Sequence, residues 1–243
     1  MTEIKICGIT RLADALCAAA CGADAVGFIF HPASPRYIAP ERARAIISEL
    51  PRGIAKVGVF VNRKREEVER TAGTCGLDLI QFHGDEPPDY CSLFGAGRVI
   101  KAVSPQTPEE IGRLAAYRVR AFLADARDAG RYGGTGKRAD WKLAAKLSQL
   151  RPLILAGGLD SENIEAALAA VAPQAVDINS GCELAPGIKD HDRMKRIIGL
   201  IRSGELPGPK VIFDTRMKSQ EGLESGAASE KAPEAGHFFR TPQ

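Results

Sequence analysis

The chain has 243 residues, of which 44% are hydrophobic and 26% charged, a composition typical of a globular protein whose length suits one domain. A net charge of +3 and 6% aromatic residues give no indication of a nucleic-acid-binding surface. No apolar run reaches the roughly 20 residues of a membrane span, and the amino terminus lacks a signal-peptide pattern. We therefore expect a cytoplasmic protein that binds neither membranes nor nucleic acid.

The six cysteines include no CxxC pair and no cysteine–histidine cluster with zinc-site spacing. We expect free thiols in a reducing compartment, with neither a metal site nor a disulfide framework. Only Cys7 and Cys182 lie beside glycine-containing ends of predicted strands, so only these two are candidates for a function.

Apolar, β-branched segments alternate with amphipathic segments along the chain as far as about residue 204. Strands are predicted at residues 4–9, 25–30, 56–61, 78–83, 99–103, 121–125, 153–156 and 175–179. Helices are predicted at residues 12–21, 40–50, 65–75, 87–94, 108–117, 141–150, 161–171 and 192–202, with prolines 40 and 108 in first turns and Ser161 as an N-cap. Strict alternation predicts a parallel sheet, and eight repeats predict a closed (β/α)8 TIM barrel. A doubly wound sheet is the alternative.

Two connections are longer than the others, one after Phe30 and one after Asp125. The second, residues 127–137, contains the glycine-rich sequence YGGTGK. Because barrel enzymes place their active sites at the carboxyl ends of the strands, these loops are predicted to form a lid or a specificity loop.

After residue 206 neither helical nor strand periodicity continues. Residues 207–243 are rich in proline, glycine, serine and alanine, with short apolar groups only at 211–213 and 237–239. We therefore predict a barrel domain at 1–206 and a mostly disordered carboxyl-terminal extension at 207–243.

Polar residues fall on one face near the carboxyl ends of four predicted strands. They are Lys5 and Cys7, Gln81 and His83, Asp125, and Asp177 with Asn179. Alternation directs them to one mouth of the barrel, which indicates an active site. Simpler interpretations of single residues stay open: Cys7 as a small buried thiol, Asp177 as the ion-pair partner of Lys5, and His83 as a hydrogen-bonded core histidine.

Glycine-rich turns follow the seventh and eighth strands. The first contains Gly157 and Gly158, and the second contains Ser180 and Gly181. Adjacent turns of this kind bind phosphate through backbone N–H groups in barrels, so a small phosphorylated substrate is predicted. The sequence has no Rossmann or Walker motif, so neither a dinucleotide nor ATP is indicated.

Seven short motifs follow one another along the chain: KICGIT (5–10), SPR (34–36), VGVF (57–60), QFHG (81–84), GGTGK (133–137), AGGL (156–159) and DINSGCE (177–183). Together they closely resemble the phosphoribosylanthranilate isomerase family of tryptophan biosynthesis. The resemblance covers roughly residues 3–204 in the family's order. Two departures are Cys182, where the family usually carries an aliphatic residue, and the extension, which has no counterpart.

The resemblance implies a cofactor-independent Amadori rearrangement, in which N-(5-phosphoribosyl)anthranilate becomes 1-(2-carboxyphenylamino)-1-deoxyribulose 5-phosphate. On the family pattern Cys7 is the base and Asp125 the acid, while Arg36 binds the anthranilate carboxylate. Substrate contacts are expected from His83 and from the turn residues Gly157, Gly158, Ser180 and Gly181. A monomer or homodimer without a metal is expected.

Two other functions stay open. A histidine-pathway aldose–ketose isomerase performs the same type of rearrangement on this barrel, but its base is a carboxylate on the first strand, where this chain has Cys7. A non-catalytic barrel that binds a phosphorylated metabolite is the alternative from a different class.

Overall fold

The computed structural model describes residues 1–125, 140–203 and 211–214. Its eight barrel strands are β1 (Glu3–Ile6), β2 (Ala25–Ile29), β3 (Ala55–Phe60), β4 (Leu79–Phe82), β5 (Val99–Val103), β6 (Ala121–Ala124), β7 (Leu153–Leu155) and β8 (Ala175–Ile178). Each strand pairs in parallel with the next, and β8 pairs with β1 to close the barrel. The predicted TIM barrel is therefore confirmed, and the doubly wound alternative is excluded.

A helix follows each strand. The helices are α1 (Leu12–Ala20), α2 (Pro40–Ser48), α3 (Arg65–Cys75), α4 (Pro88–Ser92), α5 (Pro108–Arg113), α6 (Trp141–Leu147), α7 (Ile164–Val171) and α8 (His191–Ser203). Prolines begin α2 and α5, as predicted. The prediction of Ser161 as an N-cap is wrong, because α7 begins at Ile164. The residues before it form a turn in which the Asp160 carboxylate accepts hydrogen bonds from the N–H groups of Glu162 and Asn163.

Alternation along the strands separates two apolar layers. On β6, Phe122 and Ala124 belong to the cluster that contains the inner faces of the helices. Ala121 and Leu123 belong to a second cluster, inside the barrel. The inward face continues to Asp125, so strand alternation carries this side chain to the carboxyl-terminal mouth.

A short hairpin interrupts the connection between β8 and α8. Its strands are β9 (Glu183–Ala185) and β10 (Ile188–Lys189), which are antiparallel. The sequence does not indicate this hairpin, because each strand is too short to show a period. It carries two charged, buried side chains, Glu183 and Lys189, toward the carboxyl-terminal mouth.

Four residues of the extension, Val211–Asp214, lie within the described part of the chain. Ile212 and Phe213 are buried and belong to the cluster inside the barrel. The remainder of the extension and the loop at 127–137 lie outside the described residues, so the domain boundary at 206 stays a prediction. Within the described ranges, no helix combines the length and apolar character required to cross a membrane.

Candidate active site

Four strands bring the predicted polar residues to the carboxyl-terminal mouth. Cys7 directly follows β1, where its backbone N–H donates to Ile178 of β8 at 2.9 Å. His83 directly follows β4, and Asp125 directly follows β6. Asp177 lies within β8 and is in register with Lys5 of β1.

A continuous chain of hydrogen bonds crosses this mouth. Lys5 Nζ donates to Asp177 Oδ2 at 2.7 Å and to Gln81 Oε1 at 2.9 Å. Gln81 Nε2 lies 3.0 Å from His83 Nδ1, and His83 Nε2 lies 3.1 Å from Asp125 Oδ2. The Lys5–Asp177 pairing considered from the sequence is therefore present, and it continues through Gln81 to Asp125.

This chain determines which nitrogen of His83 carries the proton. Because Lys5 donates to the carbonyl oxygen of Gln81, the amide nitrogen of Gln81 faces His83 and donates to Nδ1. The Nδ1 atom therefore accepts, and Nε2–H donates to Asp125. Both ring nitrogens are engaged, and this geometry favours His83 as the partner of Asp125.

The interior of the barrel holds Lys5 as a cation. Burial alone would lower the pKa of this ammonium, but the Asp177 carboxylate and the Cys7 side chain outweigh burial and raise the pKa. Asp177 Oδ1 is buried without a hydrogen-bond partner among the described residues. A buried acceptor without a hydrogen bond lowers the stability of the fold. Such acceptors are typical of sites where a bound ligand donates the missing hydrogen bond.

Cys7 is 3% exposed and rests as a neutral thiol. Burial is the largest cause that raises its pKa, and the Asp177 carboxylate raises it further, whereas Lys5 lowers it. The Lys5 cation thus favours the Cys7 thiolate, but in the free protein burial and Asp177 outweigh it.

Gly27 of β2 provides the space for these side chains. A Cβ atom at this position would lie 2.7 Å from Cys7 Sγ and 3.0 Å from Lys5 Cε. This role of Gly27 was not among the sequence predictions, although a glycine within the apolar strand sequence AVGFI is a signal of close approach.

Arg36, in the loop after β2, forms a buried ion pair with Glu183. Arg36 Nε and Nη2 donate to the Glu183 carboxylate at 3.0 and 2.7 Å, and Lys189 Nζ donates to it at 2.9 Å. Burial would raise the pKa of Glu183, but these two cations outweigh it and lower the pKa. One edge of the Arg36 fork is therefore occupied, and Nη1 donates to no described residue.

The two glycine-rich turns lie against each other. A Cβ atom at Gly181 would overlap the carbonyl oxygen of Leu159, so the second turn packs directly on the first. Gly157 and Gly158 have φ of 86° and 63°, and Asn163 Nδ2 donates to the Gly158 carbonyl at 2.8 Å.

The backbone N–H groups of these turns are available to a ligand. Those of Gly157, Gly158, Ser180 and Gly181 donate to no acceptor in the described part of the chain. Adjacent unbonded N–H groups form an anion-binding concavity, which agrees with the predicted phosphate site.

Comparison with known proteins identifies a consistent set of relatives. Residues 4–199 match the family model described as N-(5'phosphoribosyl)anthranilate (PRA) isomerase. A protein of Syntrophus aciditrophicus (strain SB) named N-(5'-phosphoribosyl)anthranilate isomerase is 52% identical over 202 residues, which are 83% of this chain and 88% of the relative.

Solved structures with the same fold extend this comparison. A phosphoribosyl anthranilate isomerase in complex with reduced 1-(o-carboxyphenylamino)-1-deoxyribulose 5-phosphate is 41% identical, with a TM-score of 0.75, and the match covers 84% of this chain and 100% of that chain. A structure of monomers generated from the dimeric enzyme of Thermotoga maritima is 42% identical, with a TM-score of 0.74 and the same coverage of both chains.

Proposed function

Because the chain belongs to the N-(5'-phosphoribosyl)anthranilate isomerase family, we propose that Cys7 and Asp125 are the base and the acid of the family's isomerisation in this protein. The reaction converts N-(5-phosphoribosyl)anthranilate to 1-(2-carboxyphenylamino)-1-deoxyribulose 5-phosphate in tryptophan biosynthesis. The observation that carries the proposal is the position of Cys7 and Asp125 at the carboxyl ends of β1 and β6. Lys5 interacts with Cys7, and hydrogen bonds run from Lys5 through Gln81 and His83 to Asp125.

The chemistry requires one proton donor and one proton acceptor on a sugar ring. Asp125 protonates the furanose ring oxygen, so the bond between this oxygen and C1 breaks and C1 forms an iminium with the anthranilate nitrogen. Cys7 then removes the proton from C2, and the electron pair of that bond forms an enolamine. Protonation of the enolamine at C1 and loss of the hydroxyl proton at C2 give the ketone, and all steps proceed without a cofactor.

Cys7 must lose its thiol proton before it can act as a base. Burial raises the pKa of the thiol, so only a small thiolate fraction exists at neutral pH in the free protein. The iminium that forms on ring opening is a cation, and a cation beside a thiol favours the thiolate. Ring opening by Asp125 therefore assists proton removal by Cys7.

Substrate binding is proposed at three positions. The free edge of Arg36, held in place by Glu183, binds the anthranilate carboxylate. The unbonded N–H groups of the two glycine turns bind the 5-phosphate. The unpartnered Oδ1 atom of Asp177 accepts a hydrogen bond from a sugar hydroxyl.

We assign His83 mainly to positioning. Its Nε2–H donates to Asp125 Oδ2, so it fixes the orientation of the acid and leaves the other carboxylate oxygen for the substrate. Direct contact between His83 and the substrate, as expected from the family pattern, stays a prediction.

A turnover assay tests the proposed reaction. Phosphoribosylanthranilate is generated from anthranilate and a phosphoribosyl donor, and its fluorescence is followed after addition of the protein. Rapid loss of fluorescence with formation of the ketose supports the proposal. No turnover, or a preference for the aminoaldose substrate of histidine biosynthesis, contradicts it.

The proposed function also bears on the cellular location and the oligomeric state of the protein. A cytoplasmic location agrees with the metabolic substrate. The monomer and the homodimer both stay open as predictions, and a related enzyme is described as dimeric.

A further inference from the structure

The amino-terminal end of the barrel contains a segment from the opposite end of the chain. Ile212 is 0% exposed and Phe213 is 2% exposed, whereas the preceding Val211 is 43% exposed. Both buried side chains belong to the same cluster as residues that begin barrel strands, among them Leu79 of β4. Val211–Asp214 therefore enters the barrel from the end that lies opposite the candidate active site.

Small side chains at this end leave room for the segment. Four of the eight strands, β2, β3, β6 and β8, begin with alanine: Ala25, Ala55, Ala121 and Ala175. All four belong to the interior cluster that includes Ile212 and Phe213. Since barrel interiors are usually filled by bulky branched residues of the strands themselves, the two side chains of the extension supply the volume that the alanines lack.

Two charged side chains bind the main chain of the same segment. The Glu3 carboxylate accepts hydrogen bonds from the N–H groups of Val211, Ile212 and Phe213 at 3.0, 2.6 and 2.8 Å. Glu3 is 1% exposed, and its carboxylate has no partners other than these among the described residues.

Arg120, directly before β6, binds the other side of the segment. It donates to the carbonyl oxygens of Ile212, Val211 and Asp214 at 2.6, 3.1 and 3.3 Å, and also to Gly97 O at 3.1 Å. Both the donors and the acceptors of the segment's main chain are thus bound by residues at the ends of barrel strands.

We propose that Glu3, Arg120 and the alanine layer form a binding site, the plug site, whose occupant is the chain's own segment Val211–Asp214, and that its occupation closes and stabilises the barrel. The proposal does not depend on the catalytic assignments. It also assigns a role to part of the extension, which the sequence predicted only as mostly disordered.

The first test removes the apolar side chains of the segment in the full chain. Ile212→Ala with Phe213→Ala keeps the main-chain hydrogen bonds but empties the alanine-lined space. We expect the melting temperature to fall by about 10 to 20 °C. Turnover at 25 °C should stay within about twofold, because the plug site is at the end of the barrel away from the proposed acid and base.

A matched control lies in the same segment. Val211→Ala removes an exposed side chain and should change the melting temperature by about 1 °C or less. Equal melting temperatures for the wild type and the Ile212→Ala, Phe213→Ala variant would overturn the proposal.

The second test measures hydrogen exchange of the amides bound to Glu3. In the wild type, the amides of residues 211–213 should exchange at least about 100-fold more slowly than in an unstructured peptide. Glu3→Gln replaces one acceptor oxygen with an N–H donor, so exchange of these amides should accelerate at least about tenfold. Glu49→Gln, at an exposed position, is the matched control.

The other side of the site is tested in the same way. Arg120→Ala should accelerate exchange and lower the melting temperature, whereas Arg118→Ala, at an exposed position two residues earlier, should do neither. Exchange of the wild-type amides at the unstructured rate would contradict the proposed binding.

A concentration series identifies the source of the segment. A segment supplied by the same chain gives a melting temperature and exchange rates that do not change over a hundredfold dilution. A segment supplied by a second copy gives a melting temperature that falls and exchange rates that rise on dilution, and this result would overturn the proposed occupant.

Discussion

The two ends of the barrel differ in whether their polar groups have hydrogen-bond partners within the chain. At the amino-terminal end, the carboxylate of Glu3 and the guanidinium of Arg120 are bound by the main chain of Val211–Asp214. At the carboxyl-terminal end, Asp177 Oδ1 and the N–H groups of the glycine turns have no partner among the described residues.

This difference separates stability from function within one scaffold. Unsatisfied buried polar groups lower stability, so they persist where a ligand completes them. The amino-terminal end is completed by the chain itself, and we attribute stability to it. The carboxyl-terminal end is left incomplete, and we attribute binding and catalysis to it.

The largest effect expected at the carboxyl-terminal end is that of Cys7→Ser. The change keeps the size of the side chain and removes an ionisable thiol, so turnover should fall by about 10² to 10⁴ while the melting temperature changes little. Steady-state kinetics and thermal melting measure both. Cys91→Ser changes another buried thiol, outside the proposed site, and should leave turnover intact. Loss of stability with normal turnover would assign Cys7 to the core.

The pH profile of the wild type is a second test of Cys7 as the base. A base must be deprotonated, and burial raises the pKa of the Cys7 thiol. The value of kcat/KM should therefore increase as pH rises through neutrality toward the raised pKa of the thiol. This rising limb should be absent in the Cys7→Ser variant.

Asp125→Asn should reduce turnover by a comparable factor, about 10² to 10⁴, because an amide cannot donate the proton that opens the ring. Asp192→Asn, at a highly exposed carboxylate, is the control and should match the wild type. Retained turnover in Asp125→Asn would require another acid.

Arg36→Ala should act on binding. Loss of a charge-assisted pair of about 1.5 to 3 kcal/mol predicts a KM about 10 to 100 times higher, with a smaller change in kcat. Arg36→Lys should recover only part of the loss. A planar guanidinium can bind the Glu183 carboxylate and the substrate carboxylate through different N–H groups, and an ammonium cannot reproduce this geometry. Unchanged KM in Arg36→Ala would refute the assignment.

Gln81→Glu tests whether the hydrogen-bond chain positions the acid. The new carboxylate accepts from Lys5 and no longer donates to His83 Nδ1, so the hydrogen bonds that orient His83 toward Asp125 are broken at this point. We expect kcat to fall about tenfold with little change in KM, because the chain orients the acid and does not bind the substrate. An unchanged kcat would show that Gln81 is only structural.

The smallest expected effect comes from inorganic phosphate. Binding at the N–H groups of Gly158, Ser180 and Gly181 at 10 mM should raise the melting temperature by about 1 to 3 °C and inhibit competitively. Sodium chloride of equal ionic strength is the control. Absence of both effects would place the phosphate site elsewhere.

The sequence predicted features that depend on local pattern. Eight alternating segments indicated the barrel, and strand alternation placed Cys7, His83 and Asp125 at one mouth. The glycine pairs indicated adjacent turns, which the packing of Gly181 on Leu159 confirms as a contact.

Features that depend on long-range partners were not predictable in this way. Arg36 and Glu183 are 147 residues apart, and Glu183 lies on a hairpin strand of three residues. Ile212 and Phe213 stand in a segment without periodicity, so their burial depends on the alanines of four distant strands. A hydrophobic period shows which face of one helix or strand is buried, but it does not show which distant element covers that face.

Glu3 has a consequence for chain connectivity. Because its carboxylate holds residues 211–213, the first strand and the last described segment meet at one point. A gene that joins residue 214 to residue 2 through a short glycine–serine linker, and opens the chain at the exposed turn at 51–53, would encode a circular permutant. Such a permutant should assemble the same barrel with the former tail as an internal loop, and its ends would then lie between α2 and β3.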